Sequence, residues 1–553
     1  MAETDIAKEL LKRFDARVSA RSNFDARFEE VRRYINSDVD GVTAPGTAGE
    51  DRRLEMIDST AETVSEMAAA AIYSTIANPM TQWLAIRAAR SRLNRQHQAA
   101  RWLDSTSRAV MGRLAEPAAR FQVALPRAIR LELDFGTAGI FMGRRPGRPM
   151  LYQSPFIGHL YPAENEDGTI DDVHRRARLS ARQAVAKFGA DKVGRKVAEA
   201  HEKGDGETRF DFLHAIMPRR EALFTGKLPK DRSPVAEFWV AVDDRQLVGS
   251  SGYRRHPLPM ARWEHANDDG PYGRGPGLKA LPDVKALQRM REDWFDAVEV
   301  SIYPPSQVAD DGVFGNLNMS ARAVNFVRQE FMFGRTGGAI RPIHTGARPD
   351  IALEMIQDQR ERVGMKYYNH LLSFSRDPRM TATQALILDE ESLRVLGPYT
   401  GRMQVELLGP VVEYTFYEML EAGLLEPVPE ALDGERLEIE YISTLAKAQQ
   451  LSEVTALGRL WELFAEMFKL KPEILDNHDL DQAYQHAAAR LGYPVELLRE
   501  EGLVGAIRQA RAEAEREAMD AAALESGARA AQSLGQAAGS AQDVGLLPER
   551  AAA

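Results

Sequence analysis

Cysteine is absent from the 553 residues, which excludes disulfides, thiolate metal sites and a cysteine nucleophile together and fits a reducing compartment. Apolar runs of eighteen residues are missing too, so no membrane span is expected. The stretch from Met1 to Phe24 is charged throughout and lacks the apolar core of a secretory signal, which gives the expectation of a soluble, cytoplasmic product. Cations are not in excess: 71 Lys and Arg stand against 81 Asp and Glu, a net charge of −10. Proteins that grip DNA tightly are basic, so any DNA contact made by this chain is expected to be weak, local or transient.

Catalytic motifs are equally scarce. Thr225-Gly226-Lys227 is followed by Leu228 and lacks the earlier glycine of GxxxxGK[ST], so it reads as a surface turn. Gly273-Arg274-Gly275-Pro276-Gly277 lacks GxGxxG spacing and a clean preceding strand; its glycines suit a close approach of two backbone segments at a subunit or domain junction. His159, His174, His214 and His256 are scattered without ligand spacing, and no HExxH occurs. The acid pairs Asp243-Asp244, Asp310-Asp311 and Glu390-Glu391 read as turn-capping acids, since neighbouring strand residues face opposite ways. No GxSxG elbow surrounds any serine. No enzyme activity, cofactor or metal is expected.

What is present is core-forming material. Hydrophobic side chains make up 44% of the chain, enough for three or four packed units at roughly 150 residues each. Ser59 and Glu62 have capping-box spacing ahead of an Ala-rich helix to about Ala77, which Asn78-Pro79 ends. Between Phe135 and Trp263 the pattern shifts to short strands, with a turn at Asp167-Gly168 and one helix from Ser180 to about Lys203. Val284, Leu287, Trp294 and Val298 then mark an amphipathic helix ending near Pro304-Pro305. Met355, Ile356, Val363, Tyr367, Leu371 and Phe374 mark a second, from Asp350 to Phe374, with about forty irregular residues between the two.

A polar loop follows, holding Ser375, Arg376, Asp377 and Arg379. Thr381 and Gln384 offer another capping box, opening a long helix to about Ala422 whose stripe is Leu393, Leu396, Met403, Leu407, Val411 and Tyr414. Gly397-Pro398 and Gly409-Pro410 should kink it, because each proline removes a helical hydrogen bond. Leu457, Leu460, Trp461, Phe464 and Phe468 form an apolar helical face further on, and the Ala-, Gly- and Ser-rich end from about Glu513 is expected to become a mobile tail. The fold class is α+β, predominantly helical.

Several local sequences, in this order, resemble the portal or head-to-tail connector family of short-tailed bacteriophages. They are Ile57-Asp58-Ser59-Thr60, Asn78-Pro79 with Trp83, Phe135-Gly136-Thr137-Ala138, Tyr272 to Gly277 leading to Leu281-Pro282-Asp283, Met380 to Gln384, and Leu396-Gly397-Pro398 followed by Arg402, Gln404, Glu406 and Pro410. They span residues from about 20 to 430. Phe28 and Asn36 around Tyr34 depart from the family's usual Trp and Pro, and Gln384 replaces its usual Glu.

The resemblance implies an architecture of wing, stem, clip and crown. Residues 1–134 would be the N-terminal helical part of the wing, 135–266 its α+β part, and 267–301 the glycine-rich junction with the first stem helix. The clip would be 302–345, the second stem helix 346–372, the tunnel loop 373–380, the kinked wing helix 381–430, the helical crown 431–512 and the tail 513–553. It further implies a ring of twelve copies at one capsid vertex of the virion. Double-stranded DNA would pass without sequence readout, terminase and a tail adaptor would dock at the clip, and capsid and scaffolding proteins would surround it. Arg376 and Arg379 would then line the channel as sparse cations. Two rival readings are a packaging nuclease or ATPase, disfavoured by the missing motifs, and a scaffold or adaptor without a channel.

Overall fold

Ile6, Leu10 and Phe14 recur at helical spacing, and Glu3–Tyr34 is one helix, α1. The computed structural model describes residues 3–43, 46, 56–145, 149–219, 233–265, 270–309, 316–327, 340–344, 346, 348–372, 394–442, 453–465, 478–491, 493 and 497–543. The Ala-rich helix α2 spans Thr60–Ile76. Its expected capping box does not form: Ser59 makes no side-chain cap, and Asp58 instead accepts from the Thr60 N–H at 3.0 Å. Strand β1 (Leu84–Ala88), α3 (His97–Ala115) and α4 (Phe121–Phe135) follow. Gly136, at φ 82°, closes α4 in the left-handed region that a Cβ disfavours.

Short strands β2 (Thr137–Gly139), β3 (Phe141–Gly143) and β4 (Leu151–Gln153) lead into β5 (Leu160–Glu164) and β6 (Ile170–Ser180). The turn between the last two is the expected one, with Gly168 at φ 74°. The single helix expected from Ser180 is two, α5 (Ala181–Phe188) and α6 (Arg195–Glu202), because Gly189 turns left-handed at φ 89° between them. Here a capping box does form, between Ser180 and Gln183.

Strands β7 (Arg209–Pro218), β8 (Val235–Ala241) and β9 (Gln246–Tyr253) complete an antiparallel sheet in the order β5-β6-β7-β8-β9. Alternation buries both of its faces. Leu213, Ala215, Met217, Phe238 and Val240 pack on Ile6, Ala7 and Leu10 of α1, while Phe212, Trp239 and Ala241 pack on Ala181, Ala184 and Val197 of α5 and α6. On the second face His214 is fully buried, stacked on Trp239 with ring centroids 4.0 Å apart. Its Nε2 lies 2.8 Å from Glu237 Oε1, which also accepts from the Trp239 indole at 3.0 Å.

Strand β10 (Met260–Arg262) pairs with β2. Helix α7 then runs from Pro276 to Ile302. The forty residues beyond it, expected to be irregular, hold a three-stranded sheet of β11 (Ser306–Ala309), β12 (Val324–Val327) and β13 (Ile340–Pro342). β11 is central, parallel to β12 and antiparallel to β13. The returning helix α8 (Pro349–Lys366) stops earlier than expected: Tyr368 takes φ 60°, and a short α9 (Asn369–Leu372) follows.

Residues 394–403 form α10, a π turn occupies Gln404–Leu408, and α11 spans Gly409–Glu421. The helix continues through Gly397 and Pro398, so the irregularity sits only at the second proline, with Pro410 in the first turn of α11. Leu396, Met403, Leu407, Val411 and Tyr414 are all buried, as their stripe requires. Strand β14 (Leu437–Tyr441) pairs with β1. Leu393 and the Thr381/Gln384 capping box lie outside the described residues.

The chain divides into two compact units. One comprises Met1–Arg87, Thr106–Pro427 and Leu437–Gln449 and contains all of the elements above except Ala88 of β1 and the start of α3. The other comprises Ala88–Ser105, Val428–Arg436 and Gln450–Ala553. Ala88–Ser105 belongs to it through the Ala89 N–H, which donates to Arg436 O at 2.9 Å, and through Arg90, which meets Glu435 at 3.4 Å. The second unit contains α12 (453–465), α13 (Leu480–Arg490) and α14 (Glu501–Asp543). Of its expected apolar face Leu457, Trp461 and Phe464 are half-buried and Leu460 is exposed, and Phe468 lies outside the described residues. The end expected as a tail continues α14 as helix to Asp543, because alanine costs the least of any residue in a helix.

Burial holds three histidines neutral, pushing His214 and His256 down to about 4 and His174 well below its usual value. At these three groups the unfolded chain therefore binds more protons than the folded one between about 4 and the ordinary 6.5, and the stability they contribute should fall as pH drops through that window. Urea unfolding at pH 7 and pH 4.5 checks this. His214→Gln should flatten the acid loss by ~2 kcal/mol, and an equally steep loss in that variant refutes the assignment.

Candidate functional site

Within the first unit, α7 and α8 bracket the small β11–β13 sheet. Helix α7 packs on α8 in antiparallel fashion: Asp283 near the start of α7 accepts from Gln359 near the end of α8, at 3.1 Å to both its carbonyl and its carboxylate. At the other end the Trp294 indole donates to Pro349 O at 3.1 Å. Val284 and Leu287 face Ile356 and Val363 as fully buried stripe residues, whereas Met355, expected on that stripe, is exposed.

The root of this pair is fixed by Asp58, whose side chain is 1% exposed. Its Oδ2 accepts from Arg360 Nε at 3.0 Å and Nη2 at 2.7 Å, and Arg291 Nε lies 3.6 Å away. Burial pushes the Asp58 carboxyl up, but hydrogen bonds from Thr60 and the Arg360 guanidinium outweigh it and hold the group below the usual carboxylate range. Gln288, buried on α7, accepts from the Ile57 and Asp58 N–H groups and donates to Asp58 O, each at 2.8 Å. The stretch Ile57–Thr60 is thereby tied to α7 by Gln288 and to α8 by Arg360.

A second buried acid lies one layer deeper. Asp134, at zero exposure, accepts from Ser65 Oγ at 2.6 Å and Tyr367 OH at 3.1 Å on one oxygen, and from Asn36 Nδ2 at 2.7 Å on the other. Arg130 Nε lies 3.8 Å away. Burial still dominates and raises its pKa. Beside it the glycine run meets the end of α4. A Cβ on Gly136 would fall 2.4 Å from Gly273 O, and one on Gly275 would fall 2.3 Å from Leu133 O, so neither position has room for a side chain. The close backbone approach anticipated for these glycines is present, and no phosphate cradle is needed to account for them.

Asp38, Glu62 and Glu66 come together within reach of one cation. The Arg130 guanidinium already meets Glu66 at 2.9 Å and Asp38 at 3.6 Å, so a protein cation supplies the charge there. His159, His174, His214 and His256 do not assemble into any metal-ligand group among the described residues.

Ser375, Arg376, Asp377 and Arg379 lie outside the described residues. Gly397, Pro398, Gly409 and Pro410 lie on α10 and α11, apart from the stem root. Sequence reasoning placed Tyr367 only on an apolar stripe and Asp58 only in a family motif, and it missed Gln288, Arg360 and Asp134 altogether. One signal was available: Gln288 falls on the apolar stripe of α7, one residue after Leu287 and four after Val284, where a polar side chain needs a partner.

Removing Asp58 strands two guanidinium groups and an N-terminal helix turn. Asp58→Ala should cost ~3 kcal/mol, read as a lowered urea midpoint, whereas Arg289→Ala, which breaks exposed pairs with Glu292 and Asp293, should cost under ~0.5 kcal/mol. Equal effects from the two would show that the root of the α7–α8 pair is not held as described.

A family model described as bacteriophage head to tail connecting protein matches residues 7–498. The probable portal protein of Bordetella phage BPP-1 is 27% identical over 545 residues, covering 97% of this chain and 96% of that protein. The portal protein of Salmonella phage epsilon15 is 27% identical over 541 residues, covering 96% and 95%. A chain from the virion of a native gene transfer agent particle is similar at 10% identity and a TM-score of 0.32, over 72% of this chain and 85% of that one. With the family model covering all but the ends of the sequence, the chain belongs to the bacteriophage head to tail connecting protein family.

Proposed function

We propose that this connector, which serves at a capsid vertex, works as a ring of twelve copies enclosing a channel for double-stranded DNA during packaging and ejection. The observation that carries this reading is the apolar surface of the two long helices. Phe295 on α7 and Ile351, Leu353, Met355 and Met365 on α8 are each between 45% and 57% exposed in the single chain, with Ile351 and Met355 four residues apart on one side of α8 and Leu353 on another, and apolar side chains exposed in such number along one helix suit an interface. A closed ring of identical copies covers such a surface on every subunit at once.

The charge balance supports a conduit. A wall with few free cations lets a polyanion slide, where a basic one would trap phosphate through counterion release. On this reading Arg376 and Arg379 of the tunnel loop make the sparse backbone contacts, the β11–β13 sheet is the clip that meets terminase and then the tail adaptor, and capsid and scaffolding proteins surround the wing. The family is structural, and the role needs no catalysis by this chain. ATPase and nuclease assays of the purified protein are expected to be null.

Electron microscopy of the purified protein tests the reading. Rotationally symmetric particles with a central opening are expected; a compact single subunit under every condition, or particles without an opening, would overturn it. Arg376→Ala with Arg379→Ala should reduce packaging or retention of DNA in assembled heads, and full, stable heads in the double variant would remove the two arginines from the channel.

A further inference from the structure

An open cavity of ≈ 300 Å³ lies beside the root of the α7–α8 pair, walled by Asp58, Ser59 and Thr63 on one side and by Arg291 and Arg360 on the other. Its charges do not balance. Asp58 is the one carboxylate among the lining residues, and it faces two guanidinium groups. Arg360 already donates twice to Asp58 Oδ2, and Arg291 Nε stops 3.6 Å from the same oxygen, too far for a hydrogen bond. That Nε is buried and has no hydrogen-bond partner, and the Ser59 side chain makes no cap on α2. One positive charge in excess, with a buried donor left over, suits a second carboxylate or a phosphate oxygen.

The position of Arg291 indicates where that group comes from. Its guanidinium lies 4.9 Å from the centres of both the Trp294 and the Phe295 rings, and Phe295 is one of the exposed apolar residues that the ring reading places between copies. A neighbour closing over Phe295 takes solvent away from the unbalanced charge, which is costly unless an acid arrives with it. Rotation about a ring axis leaves every atom at its own height along that axis, so the acid must come from a residue level with the cavity. Consecutive Cα atoms are only ~3.8 Å apart, so Glu361 is level with Arg360 however the helix is tilted. Their side chains point about 100° apart around α8, as a head-to-tail contact between two different faces requires. Glu361 is exposed and has no ion pair among the described residues. The other acids close by are taken, Asp358 by Arg362 at 3.0 Å and Glu292 and Asp293 by Arg289 at 3.3 Å.

We propose that Glu361 of one copy enters this cavity in the next copy and pairs with Arg291, so that the site is complete only in the ring. The proposal rests on the ring reading above and adds the contact that fixes one copy against the next. A DNA phosphate has the same charge and acceptors, but an unpaired acid already stands at the level the symmetry demands.

The full-length chain has no cysteine, so Ser59→Cys together with Glu361→Cys places the only two thiols at the proposed contact. A short bis-maleimide should convert assembled particles into a ladder of covalent multimers on a denaturing gel, and either single variant should run as monomer. Glu361→Gln should raise the protein concentration needed for half-assembly about tenfold or more, as loss of one charge-assisted hydrogen bond implies. Glu354→Gln, at another exposed acid of α8, should leave it unchanged, and failure of Glu361→Cys to assemble beside a normal Glu354→Gln would count as the same loss. Rings that carry both cysteines and do not cross-link, or equal responses to the two Gln variants, would overturn the contact and leave the ring reading standing. A wild type that never assembles would overturn both. Absent cross-links together with poorer DNA retention in Arg291→Gln heads would overturn the contact too, and give the cavity to a DNA phosphate.

Discussion

A carboxylate with no water around it must be met by donors or it will not ionise, and Asp134 shows how far the first unit is organised around that constraint. Three donors and one cation come from four separate stretches: Asn36 just past α1, Ser65 on α2 and Tyr367 at the end of α8 donate, and the Arg130 guanidinium of α4 itself lies 3.8 Å away. Each donor is useful only if its own helix is in place, so the acid makes the positions of the helices conditional on one another. Gly136, Gly273 and Gly275 extend the constraint to the backbone, since α7 starts against the end of α4 at a distance that forbids any Cβ. Helices α7 and α8 therefore grow from a root whose geometry leaves little freedom.

Three polar side chains tie this root together. Asp58 joins α2 to α8, Gln288 joins the same segment to α7, and Gln359 joins α7 to α8. Around these polar links Val284, Leu287, Ile356 and Val363 exclude water, which strengthens every hydrogen bond they enclose. The α7–α8 pair is a closed set of mutual supports within one chain.

Much of the scaffold was legible in the sequence where one period dominated. Val284 with Leu287, Ile356 with Val363, and Leu396 through Tyr414 announce their helices because helix burial repeats every three or four residues. Asp167-Gly168 announces its turn because glycine tolerates positive φ. Other features were hidden for physical reasons. Strands β11 to β13 are three or four residues long, too short to display alternation. Ser59 has the right spacing for a cap, but Asp58 reaches the Thr60 N–H instead. Asp58 meets Gln288 and Arg360 across 230 and 302 residues of chain, a separation at which no local pattern carries information. Ser375 to Arg379, the residues singled out for the channel, lie outside the described residues.

The arrangement of the small sheet sets an order of assembly. β11 leaves the ribosome first, yet it is the middle strand, flanked by β12 on one side and β13 on the other. A parallel neighbour cannot be reached by a tight hairpin, so the nascent β11 waits with both edges bare until Val324–Val327 and then Ile340–Pro342 have emerged. During that interval it offers an open template to any strand nearby, including another nascent copy on the same message. Helix α8, translated next, ends the wait by bringing the far end of the sheet back alongside α7.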